Sequence, residues 1–104
     1  AIEKRGVFTN TRFTYYDITV GQCARFTIVA LSVVALNAGQ YGTYWKSQYC
    51  GQSITISYGG KTAQATIVDE CPGCPYGGLD LTEGLFKYFA DTSLGVVYGQ
   101  WSWS

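Results

Sequence analysis

The sequence has no histidine and no methionine among its 104 residues. Without histidine, the chain can form neither a Ser-His or Cys-His catalytic pair nor a histidine-ligated metal site, which excludes most hydrolase and metalloenzyme classes. Charged residues make up only 13% of the chain, and seven basic residues balance seven acidic ones. Because nucleic-acid binding requires a basic surface, we expect no nucleic-acid partner.

Long hydrophobic segments are also lacking. The longest apolar run covers residues 28–36 and is interrupted by Ser32. This run is too short to span a bilayer, so it predicts a buried strand and no membrane partner. Near the start of the chain, Lys4-Arg5 is typical of a dibasic cleavage site at the end of a secretory pro-segment. We therefore expect residues 1–10 to form a flexible N-terminus that carries a pro-segment remnant.

Four cysteines are present, at positions 23, 50, 71 and 74. In a small chain rich in Tyr, Gly and Thr, an even count favours an extracellular β-fold with two disulfides. A zinc site would need two close ligand pairs, and only Cys71 and Cys74 are close. A Cys-x-x-Cys pair can also mark a redox catalyst, but Pro72 and Pro75 place this pair in a loop rather than at a helix N-terminus. We expect no metal and no cofactor, and the sequence alone leaves three disulfide pairings open.

The hydrophobic pattern predicts mostly strands. Residues 12–17, 27–36 and 94–101 have strand patterns, and residues 37–42 form a loop or a single helical turn. Residues 52–58 and 61–68 alternate and are joined at Gly59-Gly60, which is a hairpin signal. Ile54, Ile56 and Tyr58 are predicted to face inward, opposite Ala63, Ala65 and Ile67. Residues 82–90 carry apolar side chains at helical spacing, which predicts one short amphipathic helix before the last strand.

Residues 67–81 hold half of the cysteines and both prolines of the chain. We expect the strand to leave the sheet at Asp69 and regular structure to return at residues 79–81. Asp69 and Asp80 would then lie at the two ends of one constrained loop and point into a common cleft. A structural role is the alternative: Asp69 would accept hydrogen bonds from loop amides, and Asp80 with Glu83 would cap the helix.

Two motifs resemble those of a known family. Residues 65–71 read Ala-Thr-Ile-Val-Asp-Glu-Cys and residues 77–82 read Gly-Gly-Leu-Asp-Leu-Thr. Together they resemble the signature of barwin and expansin-type double-psi β-barrels, above all the small secreted fungal proteins of the rare lipoprotein A-like group, which include the loosenins. The likeness covers most of the chain from residue 14 onward. It implies a six-stranded double-psi β-barrel over residues 11–104, with one or two short helices, in a secreted extracellular monomer.

The resemblance also implies the disulfide pairing. In barwin-like chains, the cysteine after the first strand pairs with the one before the hairpin, which corresponds to Cys23 and Cys50. Cys71 lacks the partner that it has in barwin, so it is expected to pair with Cys74.

The function that the resemblance implies is non-hydrolytic binding of a cell-wall polysaccharide, namely cellulose, chitin or peptidoglycan. Such binding needs flat aromatic faces and a few polar groups that bond to sugar hydroxyls. The candidate aromatic residues are Tyr16, Tyr44, Trp45 and Tyr76, and the candidate polar residues are Asp17, Asp69 and Asp80. In expansin-type relatives, the aspartate at the position of Asp80 is tied to wall loosening. Structural roles compete for some aromatics, since Tyr15 or Tyr16 could belong to the core and the tryptophans at 101 and 103 could seal the barrel.

Two alternatives come from other members of the same fold. A papain-type cysteine protease inhibitor would use exposed loops such as residues 41–49 as a wedge against a secreted protease. A weak glycosidase or lytic transglycosylase would use Asp17 as base and Asp80 as acid, as in family 45 endoglucanases. Residues 21–25 read Gly-Gln-Cys-Ala-Arg, whereas relatives usually continue Gly-Ala-Cys-Gly into an acidic stretch. The missing acid argues against catalysis, so a non-enzymatic protein is the preferred interpretation.

Overall fold

The protein's structure is a computed structural model that describes residues 7–16, 23, 32–42 and 48–104. Its strands are β1 (Val7–Tyr16), β2 (Val33–Asn37), β3 (Ser53–Tyr58), β4 (Lys61–Cys71), β5 (Leu79–Thr82) and β6 (Val97–Trp103). The helical segments are α1 (Ala38–Tyr41), α2 (Glu83–Phe89) and a 3-10 turn (Thr92–Leu94).

The six strands close into a barrel in the order β1-β5-β2-β4-β3-β6. β1 lies parallel to β5 and β2 lies parallel to β4, whereas the other four neighbouring pairs are antiparallel. Closure gives every strand two neighbours, so none of them has a free edge. The predicted mainly β fold, with six barrel strands and two short helices, is confirmed. Within the described residues, no helix is long and apolar enough to cross a lipid bilayer.

The β3–β4 hairpin forms where the sequence predicts it. Gly59 and Gly60 have φ angles of 60° and 83°, which a two-residue turn of this kind requires and which glycine adopts without strain. The predicted inward residues of the hairpin are buried at Ile54, Ile56, Ala65 and Ile67. The other two, Tyr58 and Ala63, are partly buried and pack against the core.

The barrel core is mainly apolar, and aromatic side chains from α2 and β6 pack against it. α2 packs Leu85, Phe86 and Phe89 against the core, as its spacing predicts. Trp101 is only 1% exposed, and its indole Nε1 donates a 2.8 Å hydrogen bond to the carbonyl of Gly77. Trp103 stacks on Tyr49 with ring centroids 4.7 Å apart. Trp101 therefore has the structural role that competed with ligand binding, whereas Trp103 is partly buried and packs against the core.

All four cysteines are paired, as the family resemblance implied. One bridge joins Cys23 to Cys50 and the other joins Cys71 to Cys74. The first bridge closes a loop with a sequence separation of 27 and is anchored in the core, because Cys23 is fully buried. The second bridge spans a sequence separation of only 3. It therefore removes less chain entropy from the unfolded state than the first does.

The expected flexible N-terminus is wrong for residues 7–10. β1 begins at Val7, which pairs with Ser102 of β6. Phe8 is 2% exposed, and its ring packs on Trp101 with centroids 4.5 Å apart. Burial of this aromatic ring draws the start of the chain into the barrel. Residues 1–6, including Lys4-Arg5, lie outside the described residues, so the pro-segment remnant stays a prediction.

Gly99 lies where β6 packs too closely against β1 and β3 to accommodate a larger side chain. A Cβ atom at Gly99 would lie 2.6 Å from Cε2 of Phe13 and 2.7 Å from the carbonyl oxygen of Ser57. The carbonyl belongs to strand backbone that cannot move without disturbing the β3–β6 pairing. We expect Gly99→Ala to lower the free energy of unfolding by about 1–3 kcal/mol, measured by urea denaturation. Gly73→Ala is the matched control, because its Cβ would meet nothing within 4 Å, and an equal loss there would contradict the explanation.

Candidate functional site

A β-bulge in β4 determines where Asp69 points. Val34 pairs with Ile67, but the next residue, Ala35, pairs with Asp69, so Val68 is an extra residue. With regular alternation, Asp69 would share the inward face of Ile67. Since one inserted residue reverses the face of every later side chain, the bulge turns Asp69 to the outside of the barrel.

The same bulge corrects one prediction about β4. We expected the strand to leave the sheet at Asp69, but it continues to Cys71, which pairs with Asn37 of β2. Parallel hydrogen bonding to β2 resumes after the extra residue, and this pairing carries β4 through the bulge. Regular structure does return at Leu79, as predicted.

The strand register gathers the two candidate carboxylates on one outer face. Ala35 of β2 pairs with Asp69 on one side and with Asp80 of β5 on the other. Asp80 in turn pairs with Thr14 of β1. Residues that are paired directly across strands share a face, so these four residues form a lateral row across four strands. Ala35 is 1% exposed, and its methyl group is the small side chain between the two aspartates.

Tyr16 and Thr14 lie on the outer face of β1. Phe13 and Tyr15 point inward, because Phe13 is fully buried and Tyr15 packs against Phe86 with ring centroids 4.7 Å apart. Alternation then turns Thr14 and Tyr16 outward. The competition between Tyr15 and Tyr16 for the core is thus decided in favour of Tyr15. We call the outer row of Thr14, Tyr16, Ala35, Asp69 and Asp80 the acidic groove.

Each carboxylate of the acidic groove has its own hydroxyl donor. The Tyr16 hydroxyl donates a 2.6 Å hydrogen bond to Oδ2 of Asp69. The Thr14 hydroxyl donates a 2.7 Å hydrogen bond to Oδ1 of Asp80. Burial, together with the adjacent Asp69 carboxylate, raises the pKa of Tyr16 far above its ordinary value. Tyr16 therefore keeps its proton and remains a donor throughout the working pH range.

Asp80 is the electrostatically perturbed carboxyl of the groove. Burial raises its pKa above the ordinary value of 3.8, and the charge of Asp69 adds to the rise. The hydrogen bond from Thr14 and the charge of Arg12 act in the opposite direction without cancelling it. Burial and like charge both disfavour the ionised form of a carboxyl. The fold thus holds Asp80 at a position where its negative charge is costly.

The Cys71–Cys74 bridge borders the groove. Sγ of Cys71 lies 3.9 Å from Oδ2 of Asp80, and because a disulfide sulfur has no proton, this is a van der Waals contact. The two sulfurs and one carboxylate oxygen of Asp80 lie within 4.8 Å of one another. Sulfurs joined in a disulfide offer no thiolate to a metal ion, so this cluster is no metal site in the oxidised protein.

The structure divides the predicted aromatic residues. Tyr16 lies in the acidic groove, but Tyr76 lies elsewhere, with its ring over the backbone of Gly39 in α1. Tyr76 is 62% exposed and lines a cavity of about 230 Å³ whose other aromatic walls are Phe8, Tyr49 and Trp103. The predicted site residues Asp17, Tyr44 and Trp45 lie outside the described residues, as does most of the 41–49 loop.

The structural alternative for the aspartates is wrong at Asp80 and partly correct at Asp69. Thr82 is the N-cap of α2, since its Oγ1 accepts a hydrogen bond from the amide of Leu85. Asp80 therefore does not cap the helix. Oδ1 of Asp69 does accept a hydrogen bond, 2.8 Å long, from the neighbouring amide of Glu70.

Thr14 and Ala35 are groove residues that were not predicted from the sequence. A signal existed for Thr14, since alternation along Thr14-Tyr15-Tyr16 places it on the same face as Tyr16. The consecutive apolar pair Ile67-Val68 was a weak signal of the bulge, because it breaks the alternation of the preceding strand. No local signal identifies Ala35, whose position between the aspartates depends on pairing with two distant strands.

Comparisons with known proteins place this barrel in a family. No family model matches the chain. The structure of the Streptomyces papain inhibitor superposes with a TM-score of 0.79 at 33% sequence identity, and the match covers 92% of both chains. The chain belongs to the barwin-like double-psi β-barrel proteins. A Clavibacter michiganensis expansin mutant in complex with cellohexaose shares the barwin-like fold, with a TM-score of 0.80 at 24% identity over 92% of this chain and 50% of that one.

Curated relatives of this barwin-like chain are fungal and bacterial. Allergen Asp f 7 of Aspergillus fumigatus is 36% identical over an alignment of 98 residues that covers 88% of this chain. A papain inhibitor of Streptomyces mobaraensis is 37% identical over 49 residues, which are 47% of this chain. The chain spans 34% of the length of each of these two relatives.

The raised pKa of Asp80 predicts a pH-dependent cost to the stability of the barwin-like barrel. Because its pKa is higher in the folded state, Asp80 favours folding below about pH 3.8, and this contribution is lost as the pH rises through the folded pKa. We therefore expect Asp80→Asn, whose amide oxygen can still accept the Thr14 bond, to raise the free energy of unfolding at pH 7. The gain should shrink at pH 3. Urea denaturation at both pH values measures it, and a destabilised variant at pH 7 would contradict the assignment.

Proposed function

We propose that this protein is secreted and binds a neutral cell-wall polysaccharide through the acidic groove without hydrolysing it. The observation that carries the proposal is the lateral row in which Asp80 and Asp69 flank Ala35 on the outer face of the barrel. Two carboxylates side by side offer several hydrogen-bond acceptors to sugar hydroxyls. Ala35 between them is only 1% exposed, so a sugar would contact the carboxylates themselves rather than the sheet at this position.

The electrostatics of the groove favour a neutral ligand that donates hydrogen bonds. Two neighbouring carboxylates repel an anionic partner, whereas hydroxyl groups can donate to both. Tyr16 and Thr14 hold one oxygen of each carboxylate, which fixes their orientation before a ligand arrives. Such preorganisation lowers the entropy cost of binding. Cellulose and chitin are uncharged and present the required hydroxyls, whereas the stem peptides of peptidoglycan carry carboxylates. The cellohexaose complex of the expansin mutant supports cellulose.

Binding is proposed rather than cleavage for a chemical reason. Inverting hydrolysis needs an acid with a raised pKa and a second carboxylate that activates a water. Asp80 has the raised pKa, but Asp17, the base of the glycosidase alternative, lies outside the described residues. The other described carboxylate of the groove, Asp69, accepts a hydrogen bond at Oδ2 from the Tyr16 hydroxyl. This bond holds Asp69 as an oriented acceptor, which suits ligand binding better than proton transfer. The assay for binding therefore also measures the release of reducing sugar.

The first test is a pull-down on insoluble cellulose, chitin and peptidoglycan. We expect the native chain to bind at least one of them and to release no reducing sugar. Asp80→Asn should weaken binding about tenfold, because a hydrogen bond to a charged group contributes about 1.5–3 kcal/mol and 1.4 kcal/mol corresponds to tenfold in affinity.

The matched control is Glu83→Gln, which makes the same carboxylate-to-amide change at an exposed position of α2. This variant should bind as the native chain does. Sugar release that disappears in Asp80→Asn would instead make the protein a glycosidase. Failure to bind any of the three polymers would overturn the proposal.

A second candidate function is inhibition of a papain-type cysteine protease. It is favoured by the match to the Streptomyces papain inhibitor, which covers 92% of both chains and has a higher identity than the expansin match. The described surface also offers a suitable contact. Leu94 is 58% exposed at the end of the 3-10 turn, followed by Val96 at 39%. Asp91 and Gly95 cap this turn, so it presents its apolar side chain on a rigid backbone.

Titration of papain with the native chain measures this second function through the hydrolysis of a chromogenic peptide. We expect Leu94→Ser to weaken inhibition by about fivefold, as for an interface residue that contributes about 1 kcal/mol. Tyr88→Ser changes another exposed side chain on a different element and should leave inhibition unchanged. Full papain activity at a large molar excess of the native chain would exclude this candidate.

A further inference from the structure

A second depression lies on the outer wall of the barrel, beyond the groove residues. It has a volume of about 470 Å³, which is within the usual range for ligand pockets of about 300–1,000 Å³. We call it the Tyr98 depression, and its lining residues come from β1, β6 and the β3–β4 hairpin: Asn10, Ser57, Tyr58, Gly59, Gly60, Tyr98, Gly99 and Gln100. None of these residues belongs to the acidic groove.

Glycine and tyrosine together shape this depression. A Cβ atom at Gly59 or Gly60 would meet nothing within 4 Å, so the hairpin turn leaves an open edge. Tyr98 is 57% exposed, whereas Tyr58 is partly buried and packs against the core. One tyrosine is therefore fixed by the core and the other is available to a ligand. Tyrosine is a favoured contact residue because its ring is flat and rigid while its hydroxyl remains polar.

Asn10 contributes a strained backbone at the rim. Its φ angle is 52°, and no other non-glycine residue described has a positive φ. Asn10 lies in a bulge of β1, where two residues oppose one residue of β6 between the pairs Phe8–Trp101 and Thr11–Gly99. Backbone strain of this kind often marks a functional position. Here the bulge places an amide side chain at the rim of the depression.

The chemistry of the lining selects the class of ligand. Its side-chain polar groups are two amides, one serine hydroxyl and two tyrosine hydroxyls, and none of its residues is charged. Uncharged donors and acceptors beside aromatic faces suit a neutral ligand with many hydroxyl groups. The lining itself offers no counter-charge to an anion or a cation, although Arg12 lies beside it, paired with Tyr98 across β1 and β6. A saccharide meets both requirements, because it offers hydroxyls at its rim and C–H groups on its ring face.

The depression is adjacent to the acidic groove. Tyr98 pairs with Arg12 on β1, and Thr14 of the groove lies two residues further along the same strand. All three side chains therefore point outward. With a rise of about 3.4 Å per residue and strands about 4.8 Å apart, the Cα atoms of Tyr98 and Thr14 are about 8 Å apart. A short length of polysaccharide can span this distance.

We propose that the Tyr98 depression is an accessory saccharide subsite, which binds a further segment of the polysaccharide chain held in the acidic groove. The inference rests on the proposed polysaccharide-binding function and extends it, because it predicts a preference for long oligosaccharides over short ones. The additional binding free energy at this subsite comes from the exposed ring of Tyr98 and from the side-chain amides of Asn10 and Gln100.

The test is a residue-resolved NMR titration of isotope-labelled protein with cellohexaose and chitohexaose, compared with the corresponding disaccharides. At least one hexasaccharide should shift the side-chain amides of Asn10 and Gln100 as well as the backbone amides of Thr14 and Asp80. Tyr98→Ala should weaken hexasaccharide binding about fivefold, as expected for the loss of one aromatic contact. It should leave disaccharide binding to the groove unchanged.

Two further variants distinguish the contribution of the Tyr98 ring from that of its hydroxyl and from the loss of any exposed tyrosine. Tyr98→Phe keeps the aromatic face and should retain most of the affinity, and Tyr88→Ala removes a tyrosine of similar exposure on α2 and should have no effect. Shifts confined to Thr14 and Asp80 would overturn the accessory subsite and leave the groove proposal standing. Shifts confined to Asn10 and Gln100 would overturn the groove as the binding site, and shifts at neither would overturn both.

Discussion

The pairing of the short strand β2 with two different neighbours is the constraint on which the functional surface depends. All five residues of β2 are buried. The strand pairs in parallel with β4 on one side and antiparallel with β5 on the other. Those two registers meet at Ala35 and bring Asp69 and Asp80 to either side of it. Because β2 is central in the β5-β2-β4 part of the barrel, neither aspartate can shift without disturbing the packed interior.

The acidic groove is held at an electrostatic cost. Two carboxylates share one partly buried face, and burial, with a smaller contribution from the charge of Asp69, opposes the ionisation of Asp80. Hydroxyl donors from β1 offset part of this cost, since Tyr16 bonds to Asp69 and Thr14 bonds to Asp80. Natural proteins commonly retain such unfavourable groups where binding or catalysis requires them. The same hydroxyls fix the orientation of the carboxylates, so stabilisation and preorganisation come from the same contacts.

The outer wall of one small barrel thus offers several distinct surfaces. The acidic groove crosses β1, β5, β2 and β4, and the Tyr98 depression lies on β1, β6 and the hairpin. Leu94 is exposed on the 3-10 turn that follows α2 in the chain. Relatives of this fold include both an expansin in complex with cellohexaose and a papain inhibitor. A shared fold supports different functions because function depends on local sites that the scaffold carries.

The sequence by itself determined the features that depend on neighbouring residues. Alternation and Gly59-Gly60 specified the β3–β4 hairpin, and apolar spacing specified α2. The family resemblance added the barrel and the disulfide pairing. Only the tertiary structure decided that Val68 is an extra residue, that Ala35 separates the aspartates, and that Thr14 bonds to Asp80 across 66 positions of sequence. These features depend on the register between distant strands, which is set by packing of the whole barrel rather than by any local pattern.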